Sequence, residues 1–404
     1  MRSLKIIKDG TYTLVHIPLH LYSSLLQPIL RVLLHQTRGL TPPSASSSAL
    51  DPLDFGLEGL TPDGQHGFLN ISITPIEVSI VCHSSWAKNV FEPAIAALPK
   101  EAARSVQVSR SQYTVLSVIS AGLDAAGRVM DLTAPLALAG IPIFFISTYY
   151  SDFILVPEKE RGKVVSALMD KGFELSENQS AFVNSSAYGG GSSNDSRSSG
   201  STTPPRTPPP SSVAELQCRA FDLLKKRNIT AQVFPDLELA QCSGREISPM
   251  TDVVYNSHRR TGSRHGGAGG KEEDTPNWVD SVDAKLYTCI VSALVSQPKF
   301  MSLTLAQEDP PSLLIDKALL PIFGDSLVGD TEGRQIPIFL DLASLPTEVT
   351  GIVCGVAGRL FQEMRLTGSS ELSYLSTARA GAVILPDEQS TRALDILQPL
   401  LSKD

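Results

Sequence analysis

Apolar residues along this 404-residue chain alternate with period two in some stretches and recur every three or four residues in others. Period two predicts strands, whose successive side chains face opposite ways, and the longer spacing predicts amphipathic helices. "YTLVHI" (residues 12–17) reads as a strand, and "LYSSLLQPILRVLLH" (21–35) as a helix with Pro28 as a kink point. "FLNISIT" and "VSIVC" (68–82) are two strands around Pro75-Ile76-Glu77. Next come strand "YTVLSVIS" (113–120), helix "AAGRVMDLTAPLALAG" (125–140), the hairpin in "FFISTYYSDFILVPE" (144–158) and helix "EKERGKVVSALMDKG" (158–172). Strand, helix, strand, strand, helix is most of a split βαβ unit.

The second half repeats the order. "LELAQCSG" (237–244) reads as a strand, "NWVDSVDAKLYTCIVSALVSQ" (277–297) as a helix, and "FMSLTLA" with "SLLID" (300–316) as a hairpin around "QEDPP". The last unit runs strand "IFLDLAS" (338–344), helix "GIVCGVAGRLFQEM" (351–364), hairpin "YLSTARAGAVILPDE" (374–388) and helix "DEQSTRALDILQPLL" (387–401). Ser376-Thr377 echoes Ser147-Thr148, and Pro386-Asp387 echoes Pro157-Glu158. Gly351-Ile352-Val353-Cys354 parallels Gly127-Arg128-Val129-Met130, with Leu360 matching Leu136. Four hairpins, each preceded by a helix, imply four copies of one small α+β unit.

Three segments lack the apolar content to offset the entropy of ordering them. They are residues 38–56, the Ser/Gly/Pro-rich 177–212, and the charged, Gly-rich 257–275. The expected division is unit 1 over 1–110 (insertion about 38–65), unit 2 over 111–176, a linker over 177–214, unit 3 over 215–326 (insertion about 245–275) and unit 4 over 327–404.

Net charge is −8, which argues against a nucleic-acid surface. The first residues lack the apolar run of a signal peptide, and no stretch approaches the roughly 20 apolar residues of a membrane helix. The five cysteines are scattered and odd in number, which fits thiols in a reducing, cytoplasmic compartment. Histidines and cysteines are not at metal spacings, and neither G-x-x-x-x-G-K-[ST] nor G-x-S-x-G occurs. A non-enzymatic protein without metal or cofactor is expected.

Two such units sharing a sheet bring helix N-termini together at the seam, where unpaired N–H groups and the helix dipole suit a carboxylate. Gly127 and Gly351 admit two readings: close approach of a ligand to the backbone, or tight strand-to-helix packing.

The stretch "VLSVISAGLDAAGRVMDLTAPLALAGIPIFFISTYYSDFILVPE" (115–158) resembles the CASTOR-type ACT-domain proteins, cytosolic arginine sensors upstream of the TOR kinase complex. The "ST-Y-x-x-DFILV" hairpin is the most specific part, and residues 351–360 and 374–388 resemble that family's final unit. The resemblance implies an α+β fold of four tandem ACT (ferredoxin-like βαββαβ) units in two pairs. An amino acid would lie between the second and fourth, and a regulatory protein complex would be the partner. The family's ligand-contacting serine aligns with Pro142, followed by Ile143. Its acidic residue before the fourth unit's helix aligns with Val349, and its guanidinium-binding aspartate with Gly381. Thr350, Gly351, Ile352, Val353 and Thr377 are retained and would hold the amino-acid end. With the counter-charges gone, a buried guanidinium would cost several kcal/mol. A different amino acid, an apolar one among the candidates, or no ligand at all is expected in place of arginine.

In the same hairpin, Asp152 beside Tyr149 and Tyr150 has two readings: turn cap with edge cover, or a partner-binding patch. An exposed sheet edge leaves a homodimer open. Against amino-acid sensing stand an interaction scaffold with a degenerate pocket, motivated by Pro142 and Gly381, and a regulatory subunit of an amino-acid biosynthetic enzyme.

Overall fold

The computed structural model describes residues 2–6, 10–35, 66–120, 125–175, 210–245, 283–307, 309–346, 348–364 and 372–402. The segments 38–56 and 257–275, and residues 177–209 of the linker, lie outside the described residues.

Twelve strands close into one barrel-like ring. Half of it runs β2 (Tyr12–Ile17), β4 (Val78–His83), β3 (Phe68–Ile73), β12 (Met301–Ala306), β13 (Ser312–Asp316) and β11 (Leu239–Gly244). The other half runs β14 (Leu327–Asp341), β16 (Ala380–Pro386), β15 (Ser373–Ser376), β7 (Phe144–Ser147), β8 (Asp152–Pro157) and β6 (Tyr113–Ser120). β6 returns to β2 through the single pair Tyr12–Tyr113. Flanking strands add β1 (Arg2–Ile6) on β6, β5 (Gln107–Val108) on β2, β9 (Glu174–Leu175) on β1 and β10 (Ala231–Gln232) on β14.

Strand alternation sorts the apolar side chains into two populations. On β8, Phe153 and Leu155 point into the ring while Ile154 and Val156 point out; on β6, Val115 points in and Leu116 and Val118 out. Tyr12, Phe68, Phe300, Phe339 and Leu375 help to fill the interior. Helices cover the outer faces in two groups. Helices α1 (Tyr22–Leu33) and α5 (Ala284–Val295) share a core with β2–β4 and β11–β13. Helices α2 (Ala125–Leu138), α3 (Arg161–Met169), α4 (Val213–Lys226), α6 (Ile352–Met364) and α7 (Asp387–Leu401) share the other. A stripe fully removed from water stabilises by roughly 25 cal/mol per Å² of apolar area, so each helix is held by this face rather than by propensity.

The predicted strands and helices at 12–35, 68–82, 113–172 and 300–316 appear with boundaries shifted by a few residues. Helix 277–297 is seen as α5, its residues 277–282 lying outside the described set. Strand 338–344 differs most: β14 starts at Leu327 and ends at Asp341. Its first part, "LVGDTEGRQ", is polar and carries no alternation; pairing with β11 holds it extended, and from Gln335 onward it pairs with β16. Helix α4 was not among the predicted elements. Its signature is the capping box Ser212-Val213-Ala214-Glu215: Ser212 Oγ accepts from Glu215 N at 3.2 Å, and the Glu215 carboxylate accepts from Ser211 N at 2.8 Å.

Candidate functional site

Three hairpins turn on one device. Thr148 N donates to Ser151 O, and Thr148 Oγ1 both donates to Ser151 O (2.6 Å) and accepts from Ser151 N (3.1 Å). Thr377 and Ala380 repeat the set, as do Thr74 and Glu77. A threonine that caps its own turn fixes the register of the strands on either side.

The echoed hairpins are neighbours. β7 and β15 pair antiparallel through Ile146 and Leu375. On one side Ser376 Oγ accepts from Phe145 N at 2.9 Å; on the other Ser147 Oγ accepts from Tyr374 N at 3.1 Å. The two serines exchange the same bond across a local two-fold, which accounts for the repeated Ser-Thr. The seam between β3 and β12 is longer, with six register pairs, and its positions matching Leu375 and Ile146 are Ser72 and Ser302.

A cavity lies beside the short seam, between the start of β7, the turn of β15–β16 and the first turn of α6. It is lined by Ile143, Phe144, Leu342, Leu345, Pro346, Val349, Ile352, Val353, Tyr374 and residues 376–380. It measures about 80 Å³ to the centres of water-sized spheres, and one water takes roughly 10–15 Å³ on that scale. A small amino acid fits. A narrower crevice of about 20 Å³ continues past Gly351 to Thr133 and Cys354. Burial pushes the Cys354 thiol up to about 11, so it is a neutral wall.

Of the predicted ligand-binding residues, Ile143, Val349, Ile352, Val353 and Thr377 line the main cavity and Gly351 lines the crevice. Pro142, Thr350 and Gly381 line neither. Gly351 precedes α6 with φ +83°, a conformation that favours glycine, and a Cβ there would lie 3.1 Å from Leu216 of α4. Tight packing therefore explains this glycine. A Cβ on Gly381 would collide with the Tyr374 hydroxyl. Thr377 Oγ1 is engaged by Ala380 O and by the buried carboxylate of Glu77.

The start of α6 puts backbone donors on the cavity side. The first intrahelical bond of α6 runs from Gly355 N to Gly351 O at 2.7 Å, so the N–H groups of Ile352 and Val353 precede the ladder. Arg379 is the cationic lining residue, and no carboxylate is among them. Tyr374 is 1 % exposed, and its hydroxyl has no hydrogen-bond partner among the described residues. Burial raises its pKa, so it stays a neutral donor. Arg379 and Tyr374 were not foreseen; the signal for Arg379 was the altered middle of the echo, Ala378-Arg379 against Tyr149-Tyr150.

The proposed partner patch divides. Tyr149 and Tyr150 are exposed and meet edge to face at 4.8 Å. Tyr149 N donates to Ser312 Oγ at 2.9 Å. Asp152 is buried and pairs with Arg128 Nε at 3.0 Å. Desolvation raises the Asp152 pKa, against the pull of Arg128 and a hydrogen bond from Ser147.

Fold and cavity together define an α/β assembly in which hairpins and helix starts meet at a seam. Residues 108–170, which span β6, α2, β7, β8 and α3, match the family model of the ACT domain. Solved structures with local likeness include a protein from Agrobacterium tumefaciens (20 % identity, 43 % of this chain and 92 % of that one, TM-score 0.25). Two others are the aspartate kinases of Synechocystis (12 %, 100 % and 56 %, 0.29) and Clostridium acetobutylicum (13 %, 42 % and 34 %, 0.27). This chain thus spans little more than half of the first kinase and a third of the second. Among the described residues no helix is long and apolar enough to cross a membrane.

Proposed function

We propose that this protein is a non-enzymatic, cytoplasmic regulator built of four tandem ACT units in two pairs, which binds a small amino acid at the seam of its second and fourth units. ACT domains are regulatory amino-acid-binding modules, and the match to residues 108–170 supports that class. The observation that carries the reading is a cavity sized for a small solute whose wall brings the first turn of α6 together with Arg379 and a largely apolar lining. The ligand's carboxylate meets the first-turn N–H groups of α6 and Arg379, and its side chain meets Leu342, Val349 and Val353. A cationic side chain would face Arg379 without a counter-charge, so arginine is disfavoured and a small apolar amino acid is favoured. Tyr149 and Tyr150 offer a protein partner an aromatic patch, and a complex upstream of the TOR kinase is the candidate.

Calorimetric titration of the full chain with each of the twenty amino acids tests this. Selective binding of an uncharged amino acid, weakened at least tenfold by Arg379→Ala, is expected. No binding at millimolar concentration would leave the interaction scaffold as the better reading, motivated by the Tyr374 side chain that fills the space at Gly381.

A further inference from the structure

The other seam carries a cavity in the matching place. Registers set the correspondence: Ser302 opposite Ser72 stands where Ile146 stands opposite Leu375. Counting along the strands, Thr74 then matches Thr377, and Pro298-Lys299 match Pro142-Ile143. Thr74, Pro75, Pro298 and Lys299 line a cavity together with Leu19 and the loop that joins β10 to β11. It measures about 370 Å³ to the centres of water-sized spheres, against about 80 Å³ for the first.

Its walls are stiff. Pro298 is buried, and Thr74 holds the turn that carries Pro75. Phe234 packs edge-on against the buried Phe339 with centroids 5.6 Å apart. Phe234-Pro235-Asp236-Leu237 is a turn closed by Leu237 N donating to Phe234 O at 3.1 Å, with proline fixing its second position. That turn presents the Asp236 carboxylate, while the strand start presents the Lys299 ammonium where the first cavity has an isoleucine. Neither group enters an ion pair with another described residue.

We infer that this second cavity binds a free α-amino acid with a large apolar or aromatic side chain, its carboxylate on Lys299 and its ammonium on Asp236. The side chain lies among Leu19, Pro75, Phe234 and Pro298. The inference stands apart from the site at the other seam and does not depend on it.

The test titrates the full chain with L-phenylalanine by isothermal calorimetry. Lys299 and Asp236 are exposed, so their substitution leaves the fold intact, as thermal melts will verify. Lys299→Glu and Asp236→Lys should each weaken binding at least tenfold. N-acetyl-L-phenylalaninamide, which lacks both charges, should bind at least tenfold more weakly than the amino acid. Ile143→Trp, which fills the first cavity, should leave the second isotherm unchanged. Absence of binding at 10 mM phenylalanine, wild-type affinity in both charge variants, or loss of binding in Ile143→Trp would each overturn the inference.

Discussion

Glu77 Oε1 accepts a 2.6 Å hydrogen bond from Thr377 Oγ1, 300 residues further along the chain. The same oxygen accepts from Arg379 N at 2.6 Å, and Oε2 lies 2.5 Å from His16 Nδ1. Ser79 Oγ adds a bond from Ala378 N at 3.0 Å. The turn that walls the first cavity is therefore held from the opposite half of the ring. Each half presents its hairpin turn to the other, so a ligand that moves Thr377–Ala380 acts on β4 as well.

Glu77 is fully buried, and truncation would leave Arg379 N and His16 without this partner and Thr377 Oγ1 with only the longer bond to Ala380 O. Glu77→Ala should lower stability in urea denaturation by about 2–5 kcal/mol, since several buried or half-buried groups lose a hydrogen-bond partner at about 1–3 kcal/mol each. Glu77→Gln keeps an acceptor for the turn and should lose less than half of that. Equal losses below about 1 kcal/mol in both variants would show that the turn holds itself.

The reciprocal serines make a second, additive-or-not prediction. Ser147→Ala and Ser376→Ala each orphan one backbone N–H at the seam, costing about 1–2 kcal/mol. Because a single register pair joins β7 to β15, either loss should loosen the whole junction. The double variant should then lose less than the sum of the singles, by about 0.5 kcal/mol or more. Strict additivity in denaturation would mean that the seam does not act as one unit.

How much of this was legible beforehand follows from the range of each interaction. β8, β16 and α7 were readable from period, since alternate residues on each strand meet different cores. The echo of Ser147-Thr148 in Ser376-Thr377 pointed to paired hairpins, and the reciprocal bonds supply its reason. The same threonine turn at Thr74 is disguised by Pro75-Ile76 and a following glutamate. Gly351 stands out in the sequence, but Leu216, the residue that packs on it, belongs to a helix whose opening Ser212 ends a stretch with the composition of a linker. Glu77 has no local signature at all, and the altered middle of the echo marks Arg379 without naming its partner. A buried acid just before one strand and the backbone N–H of a distant turn become hydrogen-bond partners only when the ring closes.

Burial lowers the His66 pKa to about 3 and the His35 pKa to about 4, with His35 adding repulsion at His66. Their rings meet at 4.4 Å beside Trp86. Both folded values lie below the ordinary 6.5, so the unfolded chain binds protons first as pH falls. The stability tied to neutral rings is full above about pH 6.5 and falls by about 1.4 kcal/mol per pH unit for each ring until the folded value is reached. Thermal melts between pH 7 and 4.5 should show this slope, and His66→Phe should reduce it. An unchanged slope in His66→Phe would place the acid sensitivity elsewhere.

Arg128 and Asp152 supply the last prediction. Asp152 is 3 % exposed, and its desolvation is offset by Arg128 at 3.0 Å and by Ser147. Arg128→Met removes the compensating charge but keeps much of the stem, so the buried carboxylate is left ionised without its partner. The loss at pH 7 should be about 2–4 kcal/mol, the lower part of the range reflecting the partly exposed guanidinium. The sign of the pH dependence then distinguishes electrostatics from packing. Without Arg128 the folded-state pKa of Asp152 rises further above its unfolded value, so the unfolded chain gives up the proton first as pH rises. The variant should accordingly recover stability on acidification from pH 7 toward 5, relative to the wild-type chain over the same window. Arg128→Met combined with Asp152→Asn removes the charge altogether and should regain most of the loss at pH 7. A double variant as unstable as the single one, with no relative recovery in acid, would mean that Arg128 serves through its stem packing on α2 and not through its charge.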